Sequence, residues 1–79
     1  MEGLKLVISP ATGRIHLLPP QAFAEGREVV TAGQAVAMVN VGGRLRPVVA
    51  FAAGSVTNVL VREGEPVRAG QPVLSVASL

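Results

Sequence analysis

Apolar and polar positions alternate in short runs along this chain, and no stretch of ten or more residues holds a capped helical period. The pattern predicts strands over residues 4–8, 14–18, 27–30, 34–41, 44–51, 55–62 and 71–76. Residues 14–18 alternate plainly, with Ile15 and Leu17 on one side and Arg14 and His16 on the other. Pro10, the Pro19-Pro20 pair and Pro66 interrupt the runs, because proline cannot donate to a ladder. Pro47 lies inside a run and predicts an edge or a bulge there. Residues 21–26 read as a loop, with Phe23 tucking its ring over one end of the core. The fold class that follows is all-β.

Two runs meet at Gly42-Gly43, between Val39-Asn40-Val41 and Arg44-Leu45-Arg46. A Gly-Gly pair between strands predicts a tight hairpin, since both central residues of a type I′ turn need positive φ. The other glycines, Gly13, Gly33, Gly54 and Gly70, read as turn residues. They are not a phosphate cradle, for no Gly-Lys-Ser/Thr and no following helix accompany them.

The chain also repeats itself. Val7-Ile8-Ser9-Pro10-Ala11-Thr12-Gly13 matches Val48-Val49-Ala50-Phe51-Ala52-Ala53-Gly54. Glu25-Gly26-Arg27-Glu28-Val29 matches Glu63-Gly64-Glu65-Pro66-Val67, and Gly33-Gln34-Ala35-Val36 matches Gly70-Gln71-Pro72-Val73. The half-repeats run over about residues 4–41 and 44–77. The first is longer, with its excess around Pro19-Pro20-Gln21-Ala22. Neither half can bury a face alone, so the expectation is one domain over 1–79: a flattened barrel of two pseudo-symmetric halves.

Composition narrows the chemistry. The chain has 79 residues, no cysteine, one histidine and no aspartate. Disulfides and thiolate metal sites are excluded, and His16 alone cannot hold a metal. Ser9, Thr12, Ser55 and Thr57 follow no nucleophile-elbow pattern, and one histidine without aspartate leaves no material for a triad. They read as local backbone hydrogen-bonding residues. His16 reads as a surface histidine with no carboxylate neighbour in sequence. Net charge is +2 and the cations are scattered, without Tyr or Trp, so nucleic acid is not an expected partner. Met1-Glu2-Gly3 does not open a signal peptide, and the longest uncharged run is too short to insert in a bilayer. The expected location is cytoplasmic. A core this small leaves room for a homodimer.

The Ser9-to-Gly13 stretch, Gly33-Gln34 and the spacing Gly54-x-Val56 … Gly64-x-x-Val67-x-x-Gly70-Gln71 together resemble the biotinyl/lipoyl attachment domain family. The resemblance covers nearly the whole chain and is most specific from Ala50 to Val76. It implies a barrel-sandwich hybrid with a modified lysine at a hairpin tip, inside Met-Lys-Met for biotin or Asp-Lys-Ala for lipoate. Counted forward from Gly33-Gln34, or back from Ala50, the lysine position falls on Gly43, with Gly42 and Arg44 in place of the flanking residues. Glycine offers no amine, so no cofactor is expected. Lys5 is the one lysine, and it lies on the first strand, away from the tip.

The function expected is therefore non-catalytic: a binding or scaffold module for a larger enzyme or carrier assembly, its partner a carboxylase, an acyltransferase or a biosynthetic enzyme. The candidate interaction residues are Gly42, Gly43, Arg44, Arg46 and Phe23. One alternative is the barrel domain of a periplasmic efflux or secretion adaptor, whose partner is a transporter and whose relatives carry a helical hairpin near the same tip. Another is a prosthetic-group or acyl carrier using a non-standard attachment residue.

Overall fold

The computed structural model describes residues 3–78, so the readings of Met1-Glu2 and of Leu79 lie outside the described residues. Among the described residues nine strands follow one another: β1 (Leu4–Ile8), β2 (Gly13–Leu17), β3 (Phe23–Ala24), β4 (Arg27–Val30), β5 (Ala35–Val41), β6 (Arg44–Val49), β7 (Gly54–Val59), β8 (Pro66–Val67) and β9 (Pro72–Ser78). They form two antiparallel sheets, ordered β1-β9-β7-β4-β3 and β6-β5-β2-β8. The described residues contain no helix long and apolar enough to cross a membrane.

Each sheet mixes early and late strands. β1 pairs with β9, so the start of the chain is zipped to its end. β2 lies between β5 and β8, and β7 lies between β9 and β4. The core between the sheets is almost wholly aliphatic and mainly β-branched: Val7, Ile15, Val30, Val36, Val39, Val48, Val67, Val73 and Val76 are all buried. Branched side chains suit a pleated, half-buried surface, and each such burial is worth about 1.5–3 kcal/mol. Among the described residues, the only buried polar ones are Ser9 and Ser75. Ser9 Oγ donates to Ala11 O at 2.6 Å, and Ser75 Oγ shares a 2.6 Å hydrogen bond with Thr57 Oγ1, so neither hydroxyl is orphaned.

Two paired backbone contacts close the structure at opposite places. Gly33 N–H donates to Ala50 O (2.7 Å) and Ala50 N–H to Gln34 O (2.9 Å). Gly70 N–H donates to Ser9 O (2.8 Å) and Ser9 N–H to Gln71 O (2.9 Å). The turns that present these groups share one scheme: Gln34 Oε1 accepts from Thr31 N–H, Gln71 Oε1 from Arg68 N–H, and Glu65 Oε1 from Arg62 N–H. A Gln or Glu closing a turn onto the N–H three residues back therefore has a local structural role in this chain.

Several details depart from the sequence reading. Gly13 and Gly54 are strand residues, not turn residues: each opens a central strand of its sheet. A Cβ on Gly13 would collide with the Asn40 carbonyl, and one on Gly54 with the Ala77 carbonyl, so each glycine is required by close backbone approach. β7 ends at Val59 rather than continuing to Arg62; its register against β9 shifts at a bulge between Val56 and Asn58, and beyond its end Val61 is buried. Residues 21–26 are not a plain loop. Ala24 pairs with Arg27 across a two-residue turn, Glu25 (φ 54°) and Gly26 (φ 78°), which makes β3–β4 a tight hairpin. Pro47, by contrast, sits on β6, an edge strand of its sheet, where a missing N–H does least harm.

Two outcomes follow. Gly54→Ala, and equally Gly13→Ala, will lower unfolding free energy on the order of 2–3 kcal/mol or prevent folding, as urea titration followed by circular dichroism will show. Glu25→Asn will raise stability by about 1 kcal/mol in the same assay, because asparagine tolerates the left-handed conformation that costs glutamate.

Candidate functional site

The Gly42-Gly43 tip is built by its neighbours. Val41 pairs with Arg44, leaving a two-residue turn in which Gly42 has φ 58° and Gly43 φ 90°, the signature of type I′. Asn40 Oδ1 accepts Gly43 N–H at 2.8 Å and locks the turn from beneath. No atom lies within 4 Å of where a Cβ on either glycine would sit, so the tip projects into open space. Below it, Val41, Arg44, Leu45 and Arg46 are all exposed. Arg44 and Arg46 are two apart on β6 and so share a face. The hairpin thus presents bare backbone at its apex and two guanidinium groups on one side. This part of the candidate surface lies together as the sequence predicts.

Phe23 does not join it, and it does not cap the core. The ring is 64% exposed, on β3 at the far edge of the other sheet. Pairing of Phe23 with Glu28 and the tight Glu25-Gly26 turn hold it outward. Lys5 is an exposed residue of β1, on the five-stranded sheet, while the tip belongs to the four-stranded one.

The structure also brings together a polar cluster that the sequence reading missed. His16 Nδ1 lies 2.8 Å from Glu63 Oε2, across 47 residues of chain. Glu63 Oε1 accepts Leu17 N–H at 2.7 Å, and Arg14 donates to Gly64 O at 2.6 Å. His16 is therefore a surface histidine with a carboxylate neighbour. The His16 hydrogen bond, and then the Leu17 N–H, hold the Glu63 carboxyl below the ordinary glutamate range. The sequence signal was available in part: Glu63 precedes Gly64, and the turn from Arg62 to Glu65 folds this segment back alongside β2. Chemically the cluster is one carboxylate that holds the Leu17 N–H on one oxygen and the His16 ring on the other. Among the described residues no group of three or more His, Cys, Asp or Glu is placed to hold a metal ion.

No known family's sequence profile matches the chain, and no curated protein sequence does.

The cluster has a pH signature. A carboxylate depressed in the folded state contributes stability that is complete above its unfolded pKa and is lost as the pH falls through the lower, folded value. An NMR titration of side-chain carboxyls will place the Glu63 midpoint below that of an unstructured glutamate. His16→Ala will move it back upward part of the way, leaving the share due to Leu17 N–H.

Proposed function

We propose that this chain is a biotinyl/lipoyl-like domain without its acceptor lysine, with no catalysis of its own, which serves as a binding or scaffold module in a larger enzyme or carrier assembly. The observation that carries the reading is the tip: an exposed, hydrogen-bonded type I′ turn with Gly43 at the expected lysine position and Arg44 and Arg46 beside it. A rigid apex without side chains lets a partner's backbone come close, and the two guanidinium groups fit carboxylates.

The strand order supports the barrel-sandwich hybrid that goes with this reading. One sheet runs β1-β9-β7-β4 and the other β6-β5-β2-β8, so each early strand occupies the place that a late strand occupies opposite. The matched residues of the internal repeat agree with that correspondence. Gly13 and Gly54 both abut a carbonyl, and Ser9 and Ala50 both receive a turn glycine's N–H. The matching differs from the sequence alignment in one place: Val67 pairs with Gly13 as Val30, not Val29, pairs with Gly54. β3 is the addition of the first half.

The test uses the tagged full chain recovered from its host, weighed intact, beside an Arg44→Ala/Arg46→Ala variant. The expected result is an unmodified mass and a stoichiometric partner whose retention the double variant loses. Installing Gly42→Met, Gly43→Lys and Arg44→Met will make the chain a substrate for a biotin ligase. A wild-type mass raised by biotin, lipoate or an acyl group would overturn the scaffold reading and put the chemistry on Lys5 or a hydroxyl. Refusal of the folded triple variant by both biotin and lipoate ligases would count against the family resemblance.

A further inference from the structure

The two places where a central strand meets its short outer neighbour are built alike but finished differently. On β2, the outer neighbour is the segment leading into β8. Arg14 pairs with Pro66, Ile15 N–H donates to Glu65 O (3.0 Å), Gly64 N–H donates to Ile15 O (2.8 Å), and the Glu63 carboxylate takes Leu17 N–H (2.7 Å). On β7, the outer neighbour is β4, which pairs only at Val30↔Gly54 and Val29↔Ser55. Beyond that point β4 pairs with β3 on its other side, through Glu28 and Arg27. An open groove of about 460 Å³ separates it from β7, lined by Arg27, Glu28, Thr57, Asn58 and Val59 among others.

The register says which backbone groups of β7 look into that groove. Val59 is opposite Leu74, and Leu60 N–H donates to Val73 O. In an antiparallel ladder this makes Val59–Leu74 a non-hydrogen-bonded pair, whose own N–H and C=O point away from the shared side. Val59 N–H and C=O therefore face away from β9, toward β4. Leu17 stands in the same relation to β5: it is opposite Ala37, and Leu18 N–H donates to Val36 O. Leu17 N–H, pointing outward in this way, is the group that the Glu63 carboxylate occupies. In the groove, Gly26 lies near the corresponding point, with no side chain to play that part.

We infer that the β4–β7 groove binds an extended acidic segment of a partner protein, whose carboxylate takes Val59 N–H and pairs with Arg27. The template for the occupant is the chain's own Arg62-Glu63-Gly64-Glu65 stretch lying along β2. Arg27 is exposed and supplies a fixed charge for the carboxylate. Glu28, next along β4, also lines the groove, but its side chain alternates to the face of the strand opposite that of Arg27. Val59, exposed and part of the groove lining, is an apolar contact for a residue next to the acid. The inference stands apart from the tip: Arg44 and Arg46 lie on the other sheet.

The experiment is an amide NMR titration of the full chain with a synthetic peptide of residues 62–67, Arg-Glu-Gly-Glu-Pro-Val. The expected result is a saturable shift of the Val59 amide, with Asn58 and Arg27 following. Binding will weaken roughly tenfold with the peptide whose first Glu is Gln, and by a similar factor in Arg27→Gln, whose spectrum also reports that it is folded. An Arg44→Ala/Arg46→Ala variant will bind the peptide as the wild type does. Several results would overturn the inference: no saturable shift, equal binding of the Gln peptide, indifference to Arg27→Gln, or shifts centred on the Gly42-Gly43 tip. Sodium acetate alone producing the same saturable shift at the same concentration would make this a small-anion site and not a segment site. A Val59 shift that grows with protein concentration before peptide is added would assign the groove to a second copy of the chain.

Discussion

Two backbone approaches hold this fold in its shape. Gly13 and Gly54 each begin the strand at the centre of a sheet, and each leaves no room for a Cβ beside a neighbouring carbonyl, of Asn40 and of Ala77. Because β2 and β7 carry partners on both sides, a shift at either glycine would strain two ladders at once. The same approach sets β5 and β9 deep enough for Val39 and Val76 to be buried against the opposite sheet. The aliphatic core, with no large aromatic to fill gaps, depends on this closeness.

Around that frame, polar groups are used mostly to finish backbone. Asn40 closes the tip, Gln34, Glu65 and Gln71 close turns, and Glu63 covers the end of β2. What is left unfinished is therefore informative: the bare Gly42-Gly43 apex with its arginines on one sheet, and the parted strands β4 and β7 on the other. The contacts proposed above fall on these two places, through Arg44 and Arg46 on one sheet and Arg27 on the other.

The tip was legible because its determinants are local. Gly42-Gly43 and the flanking alternation specify a type I′ hairpin without reference to the rest of the chain. The outward place of Phe23 was not legible. It depends on Glu25 adopting a positive φ, which glutamate rarely does and which residue preference therefore hides. The His16–Glu63 contact was hidden for another reason: it spans 47 residues, and only the pairing of the segment before β8 with β2 creates it. The early end of β7 belongs with these, since Ser55 to Arg62 reads as one apolar run and the bulge at Thr57 comes from pairing with β9.

By itself, the sequence determined that the chain is all-β, where most strands begin, the hairpin at Gly42-Gly43, and the absence of cysteine, aspartate and a tip lysine. These follow from side-chain period, turn chemistry and inventory, each of which acts over a few residues. Tertiary structure decided which strands share a sheet, that Gly13 and Gly54 serve close approach rather than turns, that Glu63 rests on His16 and Leu17, and that β4 parts from β7. Those outcomes depend on backbone groups distant in the chain competing for the same partners, and that competition is resolved only when both sheets form together.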